Sequence, residues 1–377
     1  MTRNKDRMKK KMRRRFLSCL GAGIGALWLA GCSSGAGGGE GLPEPRRIEG
    51  DSIAIHQIVK PSRWAVSAGK AIVQAQGTDS LFYVYRLPDF RFLYTWGRRG
   101  DGPGEFAAVT IANAWDGDTG EVMLQDFRSN ALKVFSVGDT TWVQTDTLPS
   151  FPDSKVFSDD RPLAGEFLGT KKLAEGREEE YFYVRSLLDG SDLDSVPLQT
   201  VVEAQYDEQG RMYSLSRVNT PKVIARGDRV ALVYELVRHI DVYRVFPEGK
   251  LRLLHSLGES LDDAALERAR TVRSRTSQRG ITGFAATDRY IYTLYIEFEV
   301  SDWQAKTAEF RRGIVYRYGW DDPQAEAFEL ASPATDILVT GDDRFLFTRN
   351  DLEDFDWVHV YSLPQTSSGE NTTGKTR

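Results

Sequence analysis

A short apolar pattern recurs six times along the chain. An apolar or aromatic residue and one free position are usually followed by Val and an aromatic residue. The copies are FYVY at 82–85, LKVF at 132–135, FYVR at 182–185, IDVY at 240–243, VYRY at 315–318 and VHVY at 358–361. The intervals between them are 50, 50, 58, 75 and 43 residues. Each copy alternates or runs apolar, which predicts a partly buried β-strand.

Further strand patterns flank these copies. Most copies are followed by a turn rich in Gly, Pro or Asp and then by a second apolar run, which predicts a hairpin. The runs in front are GEVMLQDF at 120–127, GRMYSLSRV at 210–218, DRYIYTLYIEFEV at 288–300 and DDRFLFTRN at 342–350. About four strands in about fifty residues, repeated six times, predict an all-β fold, a six-bladed β-propeller over residues 48–363.

The last copy lacks its second strand, because VHVYSLP runs directly into a polar tail, 364–377, that we expect to be disordered. The apolar segment Asp51–Val59, DSIAIHQIV, belongs to no complete repeat. It either forms an independent surface strand or pairs with the last blade. We favour pairing, which closes the ring with strands from both chain ends and removes an exposed sheet edge.

One segment, Glu259–Gly280, has the pattern of a helix, and we predict a helical insertion near 260–279. Ser260 and Asp263 have the spacing of an N-terminal capping box, and acidic residues precede basic ones, as the helix dipole favours. Gly280 is a suitable end. This helix is either a solvated insertion or a basic lid over one face of the propeller.

The first residues have the organisation of an export leader. Nine Lys or Arg and one Asp occupy residues 1–15, and an apolar, Gly-rich run follows to residue 31. This order predicts a signal peptide, 1–31, rather than a membrane-spanning helix. The sequence MRRRFL at 12–17 resembles a twin-arginine export motif, although an ordinary basic leader often contains such a pair.

The sequence LAGC at 29–32 resembles the lipobox of bacterial lipoproteins. The resemblance implies cleavage between Gly31 and Cys32 and lipidation of Cys32; the alternative is a cysteine inside a transmembrane helix. A Gly- and Pro-rich tether, 32–47, would then hold the propeller off the membrane. Ser33, where an Asp would act as a retention residue in some bacteria, leads us to expect a lipid-anchored protein of the cell envelope, at the outer membrane.

Charge and cysteine content narrow the possible partners. The chain has a net charge of −5, and the basic leader leaves the remainder at −13, which makes nucleic acid an unsuitable ligand. Of the two cysteines, Cys19 lies within the leader and Cys32 directly follows it. We therefore expect a fold without disulfide bonds, held by its apolar core.

Candidate chemistry is sparse. The four histidines, His56, His239, His255 and His359, have no metal-binding spacing, and no GxSxG, HExxH or Walker motif occurs. We predict no catalytic residue, metal site or cofactor.

The stretch WGRRGDGPGEF, 96–106, is followed by strand and turn patterns instead of the helix of a phosphate loop, so it predicts a boundary between blades, with Phe106 packed between them. Its arginines, Arg98 and Arg99, are the candidate ligand-binding residues.

Residues 92–135 are similar to an NHL-type repeat. FLYTWGRRGDGPGEF followed by AWDGDTGEVMLQDFRSNALKVF has the order of that motif: a Gly-rich corner ending in Glu-Phe, an Asp/Gly turn, a strand ending in Asp, an Asn, and a final apolar strand. With the lipobox, TGFAATDRYIYTLY at 282–295 and the closing VHVYSL, the chain as a whole resembles six-bladed, TolB-like propeller lipoproteins of Bacteroidetes-type bacteria. The resemblance implies a propeller on a lipid anchor and no particular reaction.

Two functions fit these observations. The first is a non-enzymatic platform that presents a propeller face to a protein or glycan. The second is a hydrolase or lyase that acts on a sugar, lactone or peptide at an axial site. The position of the histidines and carboxylates relative to the propeller axis discriminates between them.

Overall fold

The computed structural model describes residues 42–365, except 58–59, 103, 115–119, 150–155, 158–162, 173–177, 187–190, 207–208, 210–211, 274–276, 300–312 and 352–354. The predicted signal peptide, its cleavage site at Gly31 and Cys32, and most of the tether lie outside these residues.

In the first half of the chain, the strands are β1 (Arg46–Ile48), β2 (Gly50–Ala54), β3 (Lys60–Ser67), β4 (Lys70–Gln76), β5 (Ser80–Arg86), β6 (Arg91–Arg99), β7 (Glu105–Phe106), β8 (Val109–Ala114), β9 (Glu121–Asp126), β10 (Ala131–Val137), β11 (Trp142–Pro149), β12 (Val156–Phe157), β13 (Leu163–Lys172) and β14 (Glu178–Ser186).

In the second half, the elements are β15 (Asp192–Pro197), β16 (Val201–Tyr206), β17 (Met212–Val218), β18 (Pro221–Arg226), β19 (Arg229–Tyr234), β20 (His239–Val245), β21 (Leu251–Gly258), α1 (Asp263–Arg273), β22 (Ser277–Ala286), β23 (Tyr290–Glu299), β24 (Ile314–Gly319), β25 (Ala325–Leu330), β26 (Asp336–Val339), β27 (Phe345–Arg349) and β28 (Trp357–Ser362).

Five blades are built from four antiparallel strands that are consecutive in the chain: β3–β6, β8–β11, β12–β15, β18–β21 and β22–β25. Two of them gain a fifth, parallel strand, β7 beside β6 and β1 beside β25. The first strands of neighbouring sheets lie side by side around a common axis, with β3 next to β8, β12 between β8 and β18, and β26 next to both β22 and β3. The described part of the chain is therefore an all-β propeller with one short helix.

The sequence predicts six blades, whereas five blades, not six, consist of consecutive strands. The remaining four-stranded sheet is composite, in the order β2-β28-β27-β26. Strand β2 pairs antiparallel with β28, from Gly50 opposite Tyr361 to Ala54 opposite Trp357. The predicted pairing of the N-terminal strand with the last copy of the motif is confirmed, although the strand spans residues 50–54 rather than 51–59.

All six copies of the apolar motif lie in the same place in their sheets. They fall in β5, β10, β14, β20, β24 and β28, each the third strand counted from the axis. Side chains from neighbouring sheets cover both faces of such a strand; in β5, Phe82 and Val84 pack toward β9 and β10, while Tyr85 packs toward β27 and β28. The core thus consists of apolar layers between blades, which explains the conserved character of the motif within this chain.

One predicted blade strand belongs elsewhere. The run GRMYSLSRV contains β17, which pairs with β16 in a separate two-stranded sheet within the described part of the chain. This hairpin lies between β15 and β18 and accounts for the interval of 58 residues between two copies of the motif. The alternation of apolar residues is the same in such a hairpin as in a blade, so the sequence pattern could not separate the two.

The Gly-rich stretch 96–106 forms the predicted boundary between blades. Strand β6 ends at Arg99, and β7 returns beside it before β8 opens the next blade. The Glu105 carboxylate accepts a hydrogen bond from the Gly102 amide at 2.9 Å, which closes the corner. As predicted, Phe106 packs between two sheets, against Trp96 and Phe135 with ring centroids 5.8 and 6.4 Å away.

The helix is shorter than predicted, and its cap differs. Helix α1 spans Asp263–Arg273, and the Asp262 carboxylate, not the Ser260 hydroxyl, accepts the hydrogen bond from the Ala265 amide at 2.8 Å. The residue before this cap, Leu261, packs beside Val237. Gly280 lies within β22 instead of ending the helix. A Cβ atom on Gly280 would lie 2.5 Å from the Glu235 carbonyl oxygen.

Candidate functional site at the axial cavity

A cavity of about 490 Å³ lies on the axis of the propeller. Its wall consists of the first strands of five sheets, β3, β8, β18, β22 and β26, together with the end of β27 and the loop that follows. A cavity of this size falls within the range of small-molecule binding sites. The described ring of blades therefore encloses a space that can hold a ligand.

Three of these wall strands contain β-bulges that open onto the cavity. The register shifts between Pro61 and Arg63 in β3, between Ile111 and Asn113 in β8, and between Ile281 and Gly283 in β22. The extra residues at the three shifts, Ser62, Ala112 and Thr282, all line the cavity. Bulges next to functional sites redirect side chains and backbone groups, as they do here.

The inner edge of β8 shows the effect of its bulge. Gln74 Nε2 donates to the Val109 carbonyl oxygen at 2.8 Å, and the Ile111 amide donates to Gln74 Oε1 at 3.1 Å. The backbone groups of residues 109 and 111 therefore point to that edge. In a regular strand residue 113 would follow on the same edge. The extra residue at the bulge shifts this alternation by one, so that the carbonyl of Ala114 also faces Arg226.

Two guanidinium groups cover this edge. Arg63 Nη1 donates to the Ile111 carbonyl oxygen at 3.1 Å, and Arg226 Nη1 lies 3.4 Å from the Ala114 carbonyl oxygen. Because edge carbonyls near the axis lack a neighbouring strand, they need such donors. These cations therefore lie in the cavity wall because they bond the edge carbonyls. Their remaining N–H groups can donate hydrogen bonds to a ligand in the cavity.

The third guanidinium of the wall, that of Arg349, is buried within a carboxylate pair. Its Nε and Nη2 atoms lie 3.2 and 2.8 Å from Asp336 Oδ2, and Nη1 lies 2.9 Å from Asp351 Oδ1. The group also lies over the Trp64 ring, 5.4 Å from its centroid. Burial raises the pKa of the Asp336 carboxyl, while the charge of Arg349 opposes this shift.

None of the four histidines lines the cavity. His56 is exposed after β2, and His359 in β28 contacts the Ser52 hydroxyl at 3.0 Å. In the blade of β18–β21, His239 is held between the Asp241 carboxylate and the Glu259 carbonyl oxygen, while His255 is half-buried in β21. Within the described ranges, no group of three or more His, Cys, Asp or Glu side chains is placed to hold a metal ion.

The ligand-binding residues predicted from sequence do not reach this cavity. Arg98 and Arg99 are exposed at the end of β6, where they pair with Glu105 and Phe106 of β7. The lipidation residue Cys32 lies outside the described residues. Arg63 and Arg226 belong to none of the sequence motifs described above, and Arg349 lies in the strand pattern DDRFLFTRN at 342–350. The available pattern was a cation within a short apolar strand segment, Arg63 in PSRWAVS at 61–67 and Arg226 at the end of PKVIAR at 221–226.

Among the residues that the structure covers, there is no helix with the length and apolar character needed to span a membrane.

The chain matches no protein-family model and no curated protein sequence. Among solved structures it is similar to the β-propeller domain of Cps50 (Swd1) from Myceliophteria thermophila, with 9% identity, a TM-score of 0.42 and coverage of 84% of this chain and 100% of that chain.

Two further structures show a likeness of the same order. A protein from Lactobacillus plantarum has 14% identity and a TM-score of 0.36 and covers 82% of each chain. Raptor from Chaetomium thermophilum has 9% identity and a TM-score of 0.40, over 85% of this chain and 29% of that chain. The propeller fold itself rests on the sheet topology of this chain.

Proposed function

We propose that this protein is a non-enzymatic binding protein of the cell envelope, which uses the mouth of its axial cavity as a platform for a partner protein or glycan. The observation that carries the proposal is the cavity itself, walled by the first strands of five sheets. Among the described residues, its charged groups are four cations and two aspartates that Arg349 holds in ion pairs, an arrangement suited to recognition.

We further propose that the chain is a six-bladed, TolB-like or NHL-like propeller lipoprotein of the Bacteroidetes type. The composite sheet of β2 and β26–β28 counts as the sixth blade in this proposal, supported by the pairing of Gly50–Ala54 with β28. The LAGC sequence at 29–32 supports a lipid anchor at Cys32, and Ser33 supports the outer membrane.

The platform is tested by mild crosslinking of the full-length protein in its membranes, followed by affinity purification. We expect a partner that is recovered reproducibly above the background of untagged cells. Recovery of nothing above this background contradicts the platform.

The anchor is tested separately with Cys32→Ser and with globomycin. We expect the variant to leave the membrane fraction and globomycin to cause accumulation of the unprocessed chain. A Cys32→Ser protein that stays in the membrane, together with processing that is insensitive to globomycin, contradicts the anchor.

A further inference from the structure

We propose that the axial cavity binds a small organic oxyanion, a carboxylate or phosphate ester with an apolar part, and that the guanidinium of Arg63 holds the charged group. This inference rests on the proposed function, because it takes the axial cavity as the binding site.

The cavity is positive within an acidic protein. Its described lining contains Arg63, Lys222, Arg226 and Arg349 against Asp336 and Asp351, whereas the whole chain has a net charge of −5. An excess of positive charge in a recess walled by protein attracts anions, so they accumulate at this point of an otherwise repelling surface.

The four cations differ in how far their charge is compensated. Arg349 is neutralised by the two aspartates of the lining. Lys222 Nζ lies 3.0 Å from Glu235 Oε1, and Arg226 Nε lies 3.0 Å from Asp288 Oδ1. Within the described residues, Arg63 meets no carboxylate and donates only to the Ile111 carbonyl oxygen.

Arg63 is thus the cation of the wall with its charge available. A guanidinium has five N–H donors in a planar fork, which matches the two oxygens of a carboxylate or phosphate. The contact with Ile111 fixes one end of the group and leaves the other N–H groups for a ligand. The bulge at Ser62, directly before Arg63, sets the direction in which the side chain leaves β3.

The rest of the wall requires an apolar part in the ligand. Trp64, Val223 and Phe284 line the same space and are not fully buried, and Phe284 is 37% exposed although it is a large apolar side chain. A hydrated inorganic ion would leave this surface uncovered, whereas an organic anion covers it and gains the free energy of apolar burial.

The test is calorimetric titration of the purified full chain with benzoate and with phenyl phosphate. Acetate, inorganic phosphate and the neutral benzyl alcohol are the comparison probes. We expect at least one of the two aromatic anions to bind, and each comparison probe to bind at least about tenfold more weakly. Binding of benzoate alone identifies a carboxylate site, and binding of phenyl phosphate alone a phosphate ester site.

The variants assign the site. Arg63→Gln should weaken binding by about tenfold or more, and Arg63→Lys should recover part of the loss because it keeps the charge without the fork. Arg252→Gln is the matched control, an exposed arginine of β21 outside the cavity, and should stay within about twofold of the original protein. Should Arg63→Gln fail to fold, whichever aromatic anion binds must instead protect Arg63, but not Arg252, from phenylglyoxal modification, read by mass spectrometry.

The proposal is overturned if no probe binds up to about 10 mM, if benzyl alcohol binds as well as the anions, or if Arg63→Gln binds unchanged. These results are separable from the proposed function. If a partner is recovered from membranes but the anions do not bind, only this inference is contradicted. If no partner is recovered and the anions do not bind, the proposed function is contradicted as well.

Discussion

Arg349 and Asp336 face each other across adjacent strands β27 and β26, with the Arg349 Nε and Nη2 atoms at 3.2 and 2.8 Å from the same carboxylate oxygen. The Nη1 atom of the same arginine lies 3.3 Å from the Pro61 carbonyl oxygen in β3. Arg349 therefore joins the last sheet of the chain to the first at the axis, while β2 completes the last sheet at its outer edge.

Asp336→Asn should destabilise the protein strongly. The change keeps the shape of the side chain but removes the main counter-charge of Arg349, which is only 4% exposed. Breaking a buried ion pair by removal of one partner costs about 3–5 kcal/mol. Because Asp351 still compensates part of the charge, we expect a loss at the lower end of this range, measured as the free energy of unfolding in urea. Glu49→Gln breaks an exposed pair with Arg47 and should produce no measurable change. Equal stability of the two variants contradicts the role of the buried pair.

Gly50→Ala should weaken the closure of the ring. A Cβ atom on Gly50 would come within 2.7 Å of the Tyr361 ring and 2.8 Å of the Val360 carbonyl oxygen, so β2 must move away from β28. We expect a loss of about 1–3 kcal/mol of unfolding free energy.

Gly313→Ala is the control for this variant. Its Cβ atom would meet Leu330 at 3.5 Å, which is an ordinary contact. Its stability should change by less than about 1 kcal/mol. If Gly50→Ala is as stable as Gly313→Ala, β2 does not lie on β28.

Trp142→Ala should remove a large part of the layer between two blades. Trp142 is 5% exposed and stacks on Trp96 of the preceding blade, with ring centroids 4.2 Å apart. The expected loss is about 3–5 kcal/mol of unfolding free energy. The next residue, Val143, is 61% exposed, and Val143→Ala should change stability by no more than about 0.5 kcal/mol. Similar losses for both would place Trp142 outside the core.

Stability should decrease as the pH falls, through His255. Burial lowers the pKa of its imidazole, and Asp321 and Asp322 oppose this to a smaller extent. Below a pH of about 6.5 the unfolded chain takes up a proton that the folded chain does not, so acidification favours unfolding.

The measurement compares urea denaturation between pH 8 and 5.5 for three proteins. His255→Gln should have a shallower loss of stability with acidification than the original chain. His56→Gln, which alters an exposed histidine, should have the original slope. An unchanged slope in His255→Gln refutes this origin of the pH dependence.

The third strand of each sheet was predictable from sequence for a physical reason. In β5, Val84 packs against one neighbouring blade and Tyr85 against the other. In β20, Val242 and Tyr243 are divided between two blades in the same way, so the strand is covered on both faces. Such burial favours Val and aromatic residues at fixed positions, so the motif is recognisable in every copy. The partnership of β2 with β28 followed from the same pattern, because one hairpin lacked a strand.

The first strands, which build the candidate site, were much harder to predict. They line a partly polar cavity, carry charged residues such as Arg63 and Arg226, and contain bulges that interrupt the alternation of apolar residues. The contacts of Arg349 with Asp336 and Pro61 join residues far apart in the chain, and no local pattern encodes them. Sequence therefore directed attention to Arg98 and Arg99, whose Gly-rich surroundings form a corner between blades.

Photocrosslinking at one position inside the cavity and one outside it tests the central claim, that partners bind at the propeller axis. A benzophenone amino acid replaces Phe284, which lines the cavity, or Leu253, a similarly exposed apolar residue in the outermost strand of its blade. Both full-length proteins are irradiated in their membranes, and crosslinked products are identified by mass spectrometry.

We predict a defined product from position 284 that is absent from position 253. The same products from both positions, products from position 253 alone, or none from position 284 would contradict an axial binding site.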